Sequence, residues 1–180
     1  MVAALVASLS ALVAIAAIWF SHRATRFSIG VQTLLQLESR FDSSEMRRSR
    51  SALASYALAQ PPTGEIPDEA YAVISLFETL GFLLRRKAID LEMAWNSFDP
   101  WVPIYWSALA TVSTERRKTI ADPTLWQDWQ HAAQRITYMQ AQRSKTTVEY
   151  VQTRYDSRRL QFLREEVNWS APACRQSTKP

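Results

Sequence analysis

An uninterrupted apolar run opens the chain. From Met1 to Phe20 there is no charged side chain, and Ser8 and Ser10 supply its hydroxyl groups. An α-helix of about 20 residues rises about 30 Å, close to the thickness of the hydrocarbon core of a bilayer. Trp19 and Phe20 end the run as aromatic side chains at the expected membrane interface. The pattern therefore predicts a transmembrane helix from Met1 to Phe20.

Basic residues follow this run at once and none precedes it. Arg23 and Arg26 lie just after the apolar segment, where we expect them at the membrane surface. The positive-inside bias then predicts a single-pass protein of the cell membrane, with the N-terminus outside and the C-terminal domain in the cytoplasm. The alternative is a cleaved signal peptide, with Ala14-Ile15-Ala16 as the cleavage site. A signal peptide has a basic N-terminal region and a shorter apolar run, so we favour the anchor.

Helical periodicity continues beyond the anchor. Ala24 to Phe41 contains no proline and predicts an unbroken extension of the first helix. Asp42 and Glu45 have the spacing of a capping box, which predicts the start of a second helix. An exposed turn is expected at 61–64, which reads Pro-Pro-Thr-Gly. A third helix is expected beyond it, with one buried face formed by the apolar residues Val73, Phe77, Leu80 and Leu84.

Three aspartates mark further helix starts. Asp90 is a plausible N-cap, and Asp99-Pro100 and Asp122-Pro123 each place a capping residue before a proline that suits the first helical position. After Asp122 the pattern stays helical to about Val167, with a break expected near Ser144. We expect five or six helices after the membrane segment.

Composition supports a helical fold. The chain has 3 glycines, and Gly is the residue on which tight hairpins and phosphate-binding loops depend. The prediction is an all-α protein, in which the N-terminal transmembrane helix continues into an irregular cytoplasmic helical bundle. Its expected parts are an anchor at 1–22, a helical domain at 23–168 and a disordered tail at 169–180. The chain has one cysteine, Cys174, so no disulfide can form within the chain.

Charge is unevenly distributed. The net charge is +4, with basic excess after the apolar run and again beyond residue 111, and acidic excess at 60–110. A basic flank beside a membrane segment suits an anionic lipid surface, so membrane lipid is an expected partner and nucleic acid an unlikely one. Residues 143–164 form a basic amphipathic helix, for which three roles stay open: packing on the bundle, contact with lipid or a protein partner, and nucleic-acid binding.

The densest group of candidate functional residues lies between 76 and 106. Glu78 falls inside an apolar helix, and a buried carboxylate must be paired or neutralised. One hypothesis is a polar pocket formed by Glu78, Arg85 and Asp90, with Arg86 nearby and with Trp95 and Tyr105 as its lining. The other is a structural ion-pair cluster, in which Glu78 pairs with an arginine of a neighbouring helix, such as Arg48 or Arg116. We favour the structural interpretation.

Several spaced residues resemble a known family. The segment Phe77-Glu78-x-Leu80-Gly81 is followed by Arg85-Arg86-x-x-Ile89-Asp90, then by Trp95-x-x-Phe98 and Tyr105-Trp106, and preceded by Phe41, Met46, Arg47 and Arg50. This order is similar to a bacterial family of uncharacterised proteins, over roughly residues 35 to 130. The resemblance implies an N-terminal membrane helix, a small helical domain and no assigned activity.

No motif declares a reaction. No nucleophile elbow, Walker loop or dinucleotide fingerprint appears, and His22, His131 and Cys174 have no metal-ligand spacing. We expect no catalytic residue, no cofactor and no metal. The predicted function is a non-enzymatic interaction or scaffold module at the cytoplasmic face of the membrane, with a protein partner or a second copy. The alternative is a regulatory or enzymatic domain with a ligand pocket around Glu78, Arg85 and Asp90.

Overall fold

A computed structural model describes residues 2–59 and 65–169, without the side chains of residues 2–16, 22 and 26. The described residues form an all-α structure of seven α-helices and one short 3₁₀ turn at Asp68–Ala70. The helices are α1 (Val2–Phe41), α2 (Ser44–Leu58), α3 (Tyr71–Arg85), α4 (Leu91–Phe98), α5 (Trp101–Thr119), α6 (Gln127–Ser144) and α7 (Val148–Trp169). The proposed turn at 61–64 and the tail beyond Trp169, including Cys174, lie outside the described residues.

The prediction of a transmembrane helix at Met1 to Phe20 is wrong, and so is the single-pass placement in the cell membrane that followed from it. In the part of the chain that the structure describes, no helix combines the length and the apolar character needed to cross a bilayer. Helix α1 has 40 residues, but its described side chains mix apolar groups with Arg23 and Glu38, whereas a span needs about 20 mainly apolar residues in succession. The membrane-surface role of Arg23 and Arg26 depended on that span, and the Arg26 side chain is outside the description.

Helix α1 joins the bundle near its C-terminal end. Leu34, Leu37 and Phe41 are buried there, whereas the described side chains from residue 17 to residue 29 are exposed. The turn into α2 is capped by Ser43, whose hydroxyl oxygen accepts a hydrogen bond from the Met46 amide at 3.1 Å. The predicted capping residue, Asp42, lies one position too early.

Aromatic rings fill the centre of the bundle. Phe77 of α3 lies 5.5 Å from Trp129 of α6, measured between ring centroids, and 6.1 Å from Tyr105 of α5. Phe41 contacts Phe98 at 5.5 Å, so the end of α1 and the end of α4 meet in the same core. All of these side chains are buried and belong to one core, to which α1, α3, α4, α5 and α6 contribute.

The three predicted helix starts have different outcomes. Asp90 caps α4 as expected, since its Oδ1 accepts hydrogen bonds from the amides of Glu92 and Met93 at 2.8 and 3.1 Å. At the second start, Asp99 takes the C-cap position of α4 and Pro100 takes the N-cap position of α5, so both lie one position from their predicted roles. Asp122 instead closes a turn with the amide and hydroxyl of Thr124. Helix α6 therefore begins later, at Gln127.

The basic C-terminal segment packs on the bundle. Helix α7 lies against α2 and α5, and it buries Val151, Tyr155 and Leu163. Arg158 and Arg164 are exposed on its outer side. The helix is thus an integral part of the fold.

Candidate functional site

Glu78 caps the N-terminus of a neighbouring helix. Its Oε1 accepts a hydrogen bond from the Trp129 amide at 2.9 Å. The first amides of a helix have no partner within that helix, and Trp126, at the cap position of α6, supplies no side-chain cap. Glu78 is half-buried; burial raises its pKa, and hydrogen bonds from the Trp129 and Asp128 amides act in the opposite direction. The partner of Glu78 here is backbone, and not Arg48 or Arg116.

Gly81 lets α3 approach α6 at this junction. A Cβ at Gly81 would overlap the carbonyl group of Asp128 and lie 3.1 Å from the Asp128 Cα. Because these are backbone atoms, they cannot rotate out of the way. The absence of a side chain at Gly81 thus sets how closely α3 and α6 cross, one turn along α3 from Glu78.

Arg85 adds a second contact to the same helix end. Its Nε and Nη2 donate to the two carboxylate oxygens of Asp128 at 2.7 and 3.0 Å, a bidentate arrangement. Arg85 is half-exposed, so solvent screens this ion pair and it contributes little to stability. Its main effect is to orient the first turn of α6 relative to α3. Glu78, Gly81 and Arg85 together fix the start of α6 on α3.

The four residues singled out from the sequence therefore separate into two groups. Glu78 and Arg85 meet at the N-terminus of α6. Asp90 caps α4, and the exposed Arg86 carries its guanidinium 5.5 Å from the ring of Phe82. The aromatic residues expected beside a pocket also lie elsewhere: Tyr105 is in the core, and the Trp95 indole donates to Gln140.

A cavity of about 540 Å³ opens between α1, the turn that links α3 to α4, and α6. Arg85 and Asp90 border it, whereas Glu78 is not among its lining residues. Its other polar lining comes from Arg23, Lys87, Arg135 and His131, and its apolar lining includes Phe27, Val31, Leu84, Ile89, Leu91 and Met93. Sequence reasoning missed Lys87 and Arg135 because nothing in their local pattern links them to Arg23.

The described residues contain no group of side chains suited to a metal ion. Within 2–59 and 65–169, no three His, Cys, Asp or Glu side chains come together in a way that would hold a metal ion. His131 contributes to the cavity wall instead.

Comparison with known proteins places the chain in a family. Residues 4–136 match a domain of unknown function, DUF4760. The chain belongs to the DUF4760 family. The expected resemblance to an uncharacterised family holds at this level, while the membrane helix and the residue pattern attached to it are not supported by the match. No curated protein and no solved structure shows significant similarity to the chain.

A buried polar cluster joins the DUF4760 region to α7. The Arg50 Nε lies 3.1 Å from Oε2 of Glu166, and both side chains are largely buried. The Tyr105 hydroxyl donates to the same Glu166 oxygen at 3.2 Å, and the Trp101 indole donates to the other at 3.4 Å. Burial and the neighbouring carboxylate raise the pKa of Tyr105 well above its ordinary value.

This cluster is closed rather than open to a ligand. The Arg50 guanidinium packs 4.3 Å from the centre of the Phe41 ring, which covers its other side. Glu166 lies 30 residues beyond the end of the DUF4760 match and far from Arg50 along the chain, so no local pattern predicts that the two residues meet. The cluster ties α2, α5 and α7 together, a structural role.

Proposed function

We propose that this DUF4760 protein is a non-enzymatic interaction module, and that it pairs with a second copy of itself through α1. The observation that supports the proposal is a row of apolar residues on the part of α1 outside the bundle. The row comprises Ala17, Phe20, Ala24, Phe27 and Val31, and we call it the α1 row.

The spacing of the α1 row is that of a coiled coil. Successive members are three, four, three and four residues apart, which keeps them on one side of a helix and is the a/d pattern of a heptad repeat. Phe20 and Phe27 are 67% and 64% exposed. Large apolar side chains that lie together on a surface are typical of an interaction site.

The row is continuous with the core of the domain. The next heptad position after Val31 is Leu34, which is 2% exposed and belongs to the main core. Val31 itself is partly buried. A helix seated on the α1 row would therefore extend an existing apolar interior.

An antiparallel pair best fits the side-chain sizes. With the two-fold axis between Phe20 and Ala24, each Phe of the row faces an Ala of the second copy: Phe20 faces Ala24, and Phe27 faces Ala17. Alternation of large and small side chains is what close helix packing requires. Each bundle lies at the C-terminal end of its own α1, so the two bundles lie at opposite ends of the pair. The two helices must cross at an angle, because beyond Val31 the same side of α1 is buried in its own bundle at Leu34.

The expected affinity is modest. Full burial of a phenylalanine side chain contributes about 1.5–3 kcal/mol, so the four phenylalanines of a pair contribute roughly 6–12 kcal/mol before costs. Association costs about 4–15 kcal/mol in lost freedom, against which the smaller side chains also contribute. We therefore expect a dimer that dissociates in the micromolar range or weaker.

Sedimentation equilibrium of the full chain tests the proposal. The wild-type chain should show a concentration-dependent monomer–dimer equilibrium, and Phe20→Ser with Phe27→Ser should be monomeric over the same range. Ile29→Ser is the matched control: Ile29 is 56% exposed on α1 but lies off the row, so dimerisation should persist. A monomeric wild type, a larger assembly, or equal loss in the control would contradict the proposal.

The orientation of the pair has its own measurement. In a Cys174→Ser background, Phe20→Cys chains are mixed with Ala24→Cys chains and oxidised. An antiparallel pair gives mainly the mixed disulfide, because residue 20 faces residue 24. A parallel pair gives disulfides between like positions, and that result would refute the antiparallel register.

A further inference from the structure

We infer that the cavity between α1, the α3–α4 turn and α6 is a binding site for a small amphiphilic anion, a phosphate or carboxylate head on a short apolar group. This site shares Phe27 and Val31 with the α1 row, so a second copy of α1 seated there and a bound ligand would compete for these side chains. Sedimentation tests the pairing and calorimetry tests the binding, so either proposal can fail without the other. Three observations support the inference: lining cations that form no ion pair, the backbone structure of the turn that carries Lys87, and the apolar side chains that line the rest of the cavity.

The cavity holds three cations without anionic partners. Arg23, Lys87 and Arg135 line it, and none of them makes an ion pair with any residue that the structure describes. The carboxylates nearby are already engaged: Asp90 accepts two amide hydrogen bonds at the start of α4, and Asp128 holds Arg85. A site with unpaired cations and occupied carboxylates favours an anionic ligand.

The wall that carries Lys87 is rigid. Lys87 lies two residues beyond the end of α3 and has a left-handed backbone (φ 53). Its amide donates to the Leu84 carbonyl oxygen, and the Ala88 amide donates to that of Leu83. Helix α1 lies close against this turn, since a Cβ on Gly30 would be 2.6 Å from the Ala88 carbonyl oxygen. The turn therefore fixes the base of the Lys87 side chain at the cavity, which lowers the entropic cost of binding.

Apolar side chains form the rest of the lining. Phe27, Val31 and Met93 contribute from α1 and α4, and Ile89 contributes from the α3–α4 turn. Pockets for small organic ligands combine such walls with a few placed polar groups, and about 540 Å³ is within their usual range of roughly 300–1,000 Å³. A bare inorganic anion would leave the apolar walls unused, so the ligand carries an apolar group beside its charge.

Isothermal titration calorimetry of the full chain with hexyl phosphate tests the inference. We expect saturable binding of one hexyl phosphate per chain. Inorganic phosphate should bind at least about 10-fold more weakly because it leaves the apolar walls uncovered, and hexyltrimethylammonium should not bind. Titration with hexanoate identifies the head group. If hexanoate binds more weakly than hexyl phosphate, the site is selective for phosphates; if the two bind equally, the site accepts either anionic head group.

Charge-removal variants locate the binding. Lys87→Asn with Arg135→Gln should weaken hexyl phosphate binding by at least about 10-fold, because two charge-assisted contacts are lost. The matched control is Lys145→Asn with Arg164→Gln: Lys145 also has a left-handed backbone (φ 52), and both residues are exposed and do not line the cavity. The control should bind within about 2-fold of wild type.

Three results would overturn the inference. They are no binding of hexyl phosphate to the wild type, equal binding of inorganic phosphate, and equal weakening in the two double variants. Lys87 and Arg135 are exposed, so their replacement should leave the fold intact. Circular dichroism and the thermal midpoint of each variant confirm this before titration.

Discussion

Replacement of Gly81 by alanine probes the crossing of α3 and α6 directly. Two effects of opposite sign compete. Alanine in a helix interior is favoured over glycine by up to about 1 kcal/mol. The new methyl group, however, would overlap the carbonyl group of Asp128, which belongs to the backbone of the adjoining helix and cannot rotate away. The helices must therefore separate until the methyl group fits.

The cost of that separation outweighs the gain. Insertion of a methyl group into a packed contact typically costs about 1–3 kcal/mol. Separation also breaks the hydrogen bond from the Trp129 amide to Glu78, and a hydrogen bond to a charged group contributes about 1.5–3 kcal/mol. After subtraction of about 1 kcal/mol for the helix-propensity gain, we expect Gly81→Ala to lower the free energy of unfolding by about 1.5–5 kcal/mol.

Urea unfolding followed by tryptophan fluorescence measures this loss. Ser75→Ala is the control, because Ser75 is exposed on the same helix and its replacement changes helix propensity by only about 0.5 kcal/mol. A double-mutant cycle sharpens the test: Glu78→Ala should cost much less in the Gly81→Ala background, where its cap is already broken. A Gly81→Ala chain as stable as wild type, or additive effects in the cycle, would refute the close crossing.

Two further predictions concern the contacts made by α7. Glu166→Ala should lower the free energy of unfolding by about 3–5 kcal/mol, because it leaves the buried Arg50 guanidinium without its carboxylate; the exposed Glu165→Ala serves as control, and equal effects in urea unfolding would contradict the buried pair. Burial raises the pKa of Asp99, which accepts a hydrogen bond from the Tyr155 hydroxyl. The folded state thus holds the Asp99 proton more tightly than the unfolded state does, so this group favours folding most at low pH and loses that effect as pH rises above about 3.9 and through the raised pKa. The thermal midpoint of Asp99→Asn should therefore rise relative to that of wild type between pH 3.5 and pH 7, when both are measured at about half-unit steps of pH. A difference that stays constant over this range would show that Asp99 has the same pKa in the folded and unfolded states.

The helices themselves were largely predictable, because their signals are local. The apolar period of α3, the Asp90 cap of α4 and the break near Ser144 each depend on residues within about one or two turns of each other. Where a competing local structure exists, the prediction fails by a few residues. Asp122 makes a turn with Thr124 instead of capping a helix, so α6 starts at Gln127.

The transmembrane prediction failed at a different step. The apolar character of the first 20 residues correctly predicted a helix, since α1 begins at Val2. Whether a helix spans a membrane depends in addition on what surrounds it. In the described residues no helix meets the length and apolar requirements for a span. A local pattern of hydrophobic residues does not by itself distinguish lipid from another apolar neighbour.

Sequence alone determined the all-α class, most helix positions and the fact that Glu78 needed a partner. Tertiary structure decided which group is that partner: the backbone amide of Trp129, 51 positions away. The amide lies within hydrogen-bond distance because Gly81 lets α3 and α6 cross closely. It also paired Arg50 with Glu166 and gathered Arg23, Lys87 and Arg135 around one cavity. The physical reason is the range of each interaction. Helix propensity and capping act between near neighbours in the chain, whereas burial, ion pairing and cavity formation depend on which helix faces meet in space.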